Sequence, residues 1–317
     1  MAPRPLWITT RRGHAEDMIT VEHLTKRYGE HVAVDDVSFR CEPGTVTGFL
    51  GPNGAGKSTT MRMICGLTPP TRGGASILGV PYRRLANPGR HVGVLLDAAA
   101  QHAGRSGRET LSLCARLLDV DRARVEELLT LVGLSGPAAR RRVGGYSFGM
   151  RQRLGVAQAL LGDPAVLILD EPTSGLDPEG VYQMRTLLRG FADRGGTVLL
   201  SSHQLREIEA VADRIVMIAK GRVVADGAKD DLLTTRHGTR VAGPDPVALR
   251  TALIAAGLTH RPAEAAGAFL VDAPPEAVGR AAAHAGVALS ELRPPEHEGL
   301  EEMFLSLIGS VPQEIAS

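Results

Sequence analysis

The sequence predicts an α/β fold built on a largely parallel sheet, followed by a small α+β domain. Three observations carry this. A glycine-rich run, Gly51-Pro52-Asn53-Gly54-Ala55-Gly56-Lys57-Ser58-Thr59, lies between a buried-strand pattern (Thr45–Leu50) and a helical one (Thr59–Gly66). Two uninterrupted apolar runs, Ala165–Leu169 and Thr197–Leu200, flank a helical stretch, Val181–Arg194. Strands without polar alternation suit a parallel sheet covered on both faces, and strand–helix–strand is its building unit. After about Arg236 the composition shifts and a second alternation of shorter elements begins.

The elements follow in order. Ile19–Leu24 and Val37–Cys41 alternate apolar and polar residues and read as antiparallel strands, with Pro43-Gly44 as a turn. Beyond the glycine-rich run, Pro69–Gly74 reads as a loop and Ala75–Leu78 as a strand. From Arg108 to Leu161 leucines and valines recur at helical spacing, giving a helical subdomain over about 97–162. Ile215–Ile218 and Arg222–Ala225 pair as a hairpin around Gly221, within a first domain spanning 18–235. The second domain, 236–317, reads as strand (Thr239–Ala242), helix (Pro246–Ala256), hairpin through Gly267 to Val271, helix (Pro275–Ala285) and strand (Val287–Leu292). That order matches a ferredoxin-like split βαβ module. A last helix is expected over Leu300–Ile308.

Bulk properties exclude several classes. A net charge of +1 provides no general field for nucleic acid. Three cysteines (Cys41, Cys65, Cys114) without C-x-x-C spacing argue against a disulfide framework or a zinc site, and suit a reducing compartment. No apolar run approaches the ~20 residues that span a bilayer, so direct membrane insertion is not expected. Residues 1–17 carry Arg4, Arg11 and Arg12 without an apolar core, and read as a disordered extension rather than a secretory signal, with Met18 as an alternative start. These features point to a soluble, intracellular chain.

The glycine-rich run fits G-x-x-x-x-G-K-[ST], a loop that wraps a nucleotide's phosphates. Glycines let backbone N–H groups converge on one anion, Lys57 adds a point charge for the outer phosphates, and Ser58 offers a hydroxyl to Mg²⁺. At the end of the Ala165–Leu169 strand, Asp170 and Glu171 put two carboxylates where ligands bind in open α/β sheets. Asp170 is expected to hold Mg²⁺ through water, and Glu171 to polarise a water that attacks the γ-phosphate. Tyr146–Arg153 opens a helix, Ser174–Pro178 follows the carboxylates, and Ser201-Ser202-His203 follows the next apolar strand.

With these motifs in this order, the chain resembles the ATP-binding-cassette ATPases, over roughly Ile19–Leu233. Within them it is most similar to the separate ATPase subunits of bacterial exporters of the bacitracin/daunorubicin-resistance type. The resemblance implies a P-loop NTPase cassette: a RecA-like core with antiparallel β and α-helical subdomains. It matches Tyr28 to the aromatic that stacks on adenine, and Gly51, Pro52, Asn53, Gly54, Ala55, Gly56, Lys57, Ser58 and Thr59 to the phosphate loop. Ser147 and Gly149 match the signature that meets ATP bound to the opposite subunit, and Asp177 the loop crossing the dimer interface. His203 matches the switch histidine that contacts the γ-phosphate and the attacking water.

Two positions depart from the family pattern. Asp97 stands where glutamine is usual, at a loop linking the metal site to the membrane partner; a carboxylate accepts from a Mg²⁺-bound water but cannot donate. Gln101 lies nearby but would require a four-residue shift. In the signature, Phe148 replaces the first glycine and Met150 the glutamine. The Phe148 ring either crowds the nucleotide or turns away and packs on the helical subdomain. Glu171 and His203 are intact, which predicts that hydrolysis of ATP to ADP and phosphate survives.

One cassette per chain implies a homodimer around two ATP. The resemblance implies a separate integral-membrane permease, docked near Asp97–Arg108, with the chain cytoplasmic and peripheral on the inner face of the membrane. Export, drugs and antibiotics included, rests on the resemblance alone. A ribosome- or DNA-acting cassette protein is disfavoured by the single cassette and the missing basic footprint. A P-loop kinase or GTPase is disfavoured by the signature and His203. The second domain is expected to serve dimerisation or regulation.

Overall fold

The computed structural model describes residues 18–234, 238–263, 267–293 and Phe304. Residues 1–17 and nearly all of the expected last helix, Leu300–Ile308, lie outside the described residues. The chain divides into two compact units at Gly227/Ala228, ahead of the composition boundary at 235/236, since the helix Lys229–Thr234 groups with the second unit.

In the first unit, β1 (Ile19–Tyr28) and β2 (His31–Cys41) form a long antiparallel hairpin that turns through Gly29-Glu30. Both strands run further than their hydrophobic alternation signals, because register shifts between Val21 and Arg27 break the period-two pattern. β3 (Val46–Leu50) enters the glycine-rich loop, α1 (Lys57–Ile64) leaves it, and β4 (Arg72–Ile77) pairs with β1 to complete the sheet β2-β1-β4.

β4 begins at Arg72 and not after Gly74. Gly73 adopts φ +73°, and a Cβ there would stand 2.1 Å from the His23 carbonyl oxygen, so only glycine permits this approach to β1. A pattern search reads Gly73-Gly74 as a loop, whereas the close approach makes it strand. At its other end β4 stops at Ile77 because Leu78 is left-handed, at φ +53°, and Val80 bonds back to Ile77.

β5 (Val92–Leu95) precedes four helices: α2 (Gly107–Leu118), α3 (Arg122–Leu131), α4 (Pro137–Arg140) and α5 (Phe148–Leu160). A capping box of Ser106 and Glu109 starts α2, and the Ser147 hydroxyl caps α5 by accepting from the Met150 amide at 3.2 Å. β6 (Val166–Asp170), α6 (Pro178–Asp193), β7 (Thr197–Ser202), α7 (Leu205–Glu209), β8 (Arg214–Ala219) and β9 (Arg222–Ala228) follow. The main sheet has the order β5-β6-β7-β3-β8-β9, and its first five strands are parallel. β3, β7 and the apolar part of β6 are buried throughout, as strands covered on both faces must be. Each fully buried aliphatic side chain contributes about 1.5–3 kcal/mol. Phe39 and Phe49 stack at 5.2 Å within the core that joins the two sheets.

The second unit contains α8 (Lys229–Thr234), β10 (Thr239–Ala242), α9 (Pro246–Ala255), β11 (His260–Pro262), β12 (Ala268–Val271), α10 (Pro275–His284) and β13 (Glu291–Arg293). Its sheet has the order β11-β12-β10-β13, every neighbour antiparallel, which is the arrangement of a split βαβ module. Val241, Leu249, Leu253, Val271 and Val278 form its core. Val287, expected in the last strand, instead donates its amide to Ala282 across Gly286 and closes α10, so β13 starts later.

Substituting Gly73→Ala forces both the left-handed backbone and the overlap with His23. A loss of about 1–3 kcal/mol is expected, read as a lower urea midpoint for the first unit. An unchanged midpoint would mean that β1 and β4 do not approach this closely.

Candidate functional site

Three adjacent strands of the main sheet deliver the candidate residues to one edge. β7 lies between β3 and β6, and its register sets Leu50 beside Ser202 and Asp170 beside Ser201. The glycine-rich loop, His203 and the Asp170-Glu171 pair therefore leave the sheet at the same level, at the carboxyl ends where open α/β sheets bind ligands.

The loop's glycines serve packing as well as anion access. A Cβ on Gly51 would stand 2.3 Å from the Ile218 carbonyl oxygen, and one on Gly56 would stand 2.6 Å from that of Ala33. The loop is thus seated against β8 and β2 before any ligand is considered. Pro52, Asn53 and Gly54 are exposed, Ala55 is buried, and Thr59 is partly buried.

Lys57 is the first residue of α1 and is 6% exposed. Its Nζ donates to the carbonyls of Gly51 at 2.6 Å and Pro52 at 3.2 Å. Burial pushes its ammonium below the ordinary lysine range, while the carboxylates of Glu171 and Asp170 act in the opposite sense. That opposition places the cation in the field of both acids.

Glu171 holds a left-handed backbone at φ 50°, uncommon for a residue with a Cβ. Several bonds fix it. Its amide donates to Ser201 Oγ at 3.0 Å, and Ser201 Oγ in turn donates to Asp170 Oδ1. Its carbonyl accepts from the Ser174 amide at 3.2 Å and from Gln152 Nε2 at 2.5 Å. His203 Nδ1 lies 2.9 Å from Glu171 Oε2, so the pair is bonded whenever Nδ1 carries the proton. Thr173 Oγ1 donates to Glu207 of α7, tying the same loop to the segment that follows His203. Ser201 and Gln152 lie inside stretches that the sequence singles out but gain their partners only in the fold, and Thr173 lies outside them, because all three act on neighbouring backbone and side chains. A buried serine at a strand end or a glutamine within a helix is an ordinary residue until the fold gives it a partner.

In the other sheet, Tyr28 ends β1 beside the hairpin turn, 52% exposed, with Lys26 Nζ 4.9 Å from its ring centre. Ser147 is exposed at the start of α5, and Gly149 is buried. Asp177 caps α6 by accepting from the Gly180 amide at 3.1 Å. The Phe148 ring, 49% exposed, lies against Gly175: a Cβ there would stand 2.3 Å from it. Gly149 likewise packs on Gly175 and Leu176, so the start of α5 and the loop carrying Asp177 are in direct contact.

Asp97 is exposed and commits Oδ1 to the Ala99 amide at 2.7 Å, capping a short turn. It lines an open groove of about 360 Å³ with Leu95, Gln101, Arg105, Cys114 and Gln158 among its walls. Gln101 Nε2 donates to the Arg151 carbonyl of α5 at 3.1 Å and approaches Gln158 Oε1 at 3.3 Å. For a metal, the Ser58 hydroxyl and the Asp170 carboxylate offer the oxygen donors that Mg²⁺ prefers. Among the described residues no cluster of three or more His, Cys, Asp or Glu could hold a metal.

The chain resembles known proteins over most of its length. The family described as ABC transporter matches residues 34–174, and a domain of unknown function matches 237–301. The chain is 39% identical to Nod factor export ATP-binding protein I of Burkholderia pseudomallei (strain 1710b), covering 92% of this chain and 97% of that protein. It is 39% identical to the bacitracin transport ATP-binding protein BcrA of Bacillus licheniformis, covering 68% and 71%. Among solved structures, the ATP-binding subunit of an ABC transporter superposes with a TM-score of 0.63 at 30% identity, covering 69% of this chain and 92% of that one.

The groove supplies a labelling test. Burial pushes the Cys65 thiol up to about 12, which suppresses its reactive thiolate, and Cys41 is buried too, whereas Cys114 is only partly buried in the groove wall. Iodoacetamide on the native chain, read by peptide mass spectrometry, is expected to modify Cys114 far ahead of Cys41 and Cys65. Equal modification of all three would contradict the closed core.

Proposed function

Since the chain belongs to the ABC transporter ATP-binding proteins, we propose that it binds and hydrolyses ATP as a homodimer and thereby drives a separate integral-membrane permease. The observation that carries the proposal is Glu171: a carboxylate bonded to His203, its backbone fixed in a left-handed turn, beside Asp170 and in the field of Lys57.

In this reading the backbone amides from Gly51 to Thr59 and the Lys57 ammonium bind the β- and γ-phosphates of ATP, and Tyr28 stacks on adenine. Ser58 would hold Mg²⁺ directly and Asp170 would hold it through water, with the other oxygen of Asp97 as a further acceptor for the ion's hydration shell. When bound, Mg²⁺ neutralises charge on the phosphates. Glu171 Oε accepts a proton from the attacking water and aligns it with the γ-phosphorus, while His203, held by Glu171, contacts the γ-phosphate. Ser147 and Gly149 of a second copy close over the same phosphate with the free amides at the start of α5. Asp177 lies in the loop that meets that copy. Loss of the γ-phosphate removes the bridge between copies, and they separate.

No helix among the described residues is long and apolar enough to cross a membrane. A separate permease supplies that part and docks a cytoplasmic segment in the groove beside Asp97 and Gln101. Export as the direction of transport is supported by the name of one relative, Nod factor export ATP-binding protein I, while the other is named for bacitracin transport. Peripheral attachment to the inner face of the membrane follows from the permease, and the second unit is assigned to dimerisation or regulation.

Glu171→Gln is expected to lower turnover by about 10²–10⁴-fold while leaving ATP binding intact. The variant should elute as a dimer on size exclusion with ATP and as a monomer without it. Wild-type turnover in this variant would remove Glu171 from its assigned role.

A further inference from the structure

Gln152 lies one turn into α5, is 2% exposed, and uses its side chain for one purpose. Its Nε2 donates to the Glu171 carbonyl at 2.5 Å, and its Oε1 is buried without a hydrogen-bond partner. Leaving a buried amide oxygen unsatisfied is costly, so the residue is poorly explained as core packing. The bond it does make falls on one of the two peptides whose geometry decides where the Glu171 side chain points. Glu171 is held at φ 50°, a conformation that persists only when its surroundings over-determine it. Ser201 fixes the amide side of that residue through the neighbouring strand, and Gln152 fixes the carbonyl side from a different element.

We propose that Gln152 is a positioning residue for hydrolysis, fixing the backbone of Glu171 so that its carboxylate meets His203 and the attacking water. The inference rests on Glu171 acting as the water-polarising carboxylate. The same helix carries Gly155 and Gln158 into the groove wall, and its Arg151 carbonyl accepts from Gln101. A displacement of α5 therefore reaches the Glu171 peptide through a single side chain. Asp97, tied to the Ala99 amide, occupies the place where the family pattern has an amide side chain of its own.

The test compares Gln152→Met, which keeps the volume and removes the donor, with Gln152→Glu, which keeps the shape and removes the donor when ionised. ATP hydrolysis by the full-length chain and equilibrium binding of a fluorescent ATP analogue are measured for both. The expected result is a kcat about 10–100-fold lower, with nucleotide affinity within about twofold of wild type. Adding Gln152→Met to Glu171→Gln should then change the residual rate by less than about twofold, because Gln152 acts through Glu171. Equal loss of kcat in both backgrounds, or a loss of affinity that matches the loss of rate, would overturn the proposal. So would two variants that no longer fold, since the role would then be structural. If Glu171→Gln itself turns over at the wild-type rate, the reading of the site fails and takes this inference with it. If Glu171→Gln is inactive and Gln152→Met is not, only the inference fails.

Discussion

The pairing of β7 between β3 and β6 is the constraint on which the site depends. Parallel ladders fix register residue by residue, so Leu50, Ser201–Ser202 and Asp170 must end at one level. The glycine-rich loop, a histidine and two carboxylates, separated by long stretches of chain, then share one edge. The strands are buried on both faces, which makes a slip in register expensive. Hydrophobic burial in the sheet thus performs positional work for the chemistry at its edge. Ser201 continues that work outward, joining the Asp170 side chain to the Glu171 backbone.

Much of this was legible in the sequence, because the informative residues are local. Gly51–Thr59, Asp170-Glu171 and Ser201–His203 each follow an apolar run directly, and the shortness of those runs together with their flanking turn residues marks them as strands. The family of cassette ATPases could be identified from the order of such motifs. Less legible was whatever depends on contact between distant segments. The start of β4 at Gly73 is set by proximity to His23, and the resting place of the Phe148 ring is set by Gly175, which has no Cβ to oppose it. Gln152 was visible within the signature stretch, but its partner is a carbonyl, and carbonyls leave no trace in sequence.

The two departures from the family pattern lead to a common helix. Phe148 and Gly149 pack the start of α5 onto Gly175 and Leu176, while further along α5 meets Gln101 in the groove. The loop from Glu171 to Asp177 is therefore gripped at both ends by α5, through Gln152 at one end and Phe148 at the other. Packed elements of this kind move as units, since interdigitated side chains resist gradual deformation. A bulky signature residue is thereby accommodated within its own chain. The second unit has its own core and its own sheet, and is a separate folding problem attached to the cassette.

The central claim is that hydrolysis needs two copies of this chain, because the phosphate-binding loop of one must meet the Ser147–Gly149 segment of the other. Phosphate release at saturating ATP and Mg²⁺, measured across a wide range of protein concentration, tests it most directly. The account predicts a rate per chain that climbs with concentration and then levels off as dimers fill. A rate per chain that is the same at every concentration, from a chain that light scattering shows to be monomeric, would contradict it.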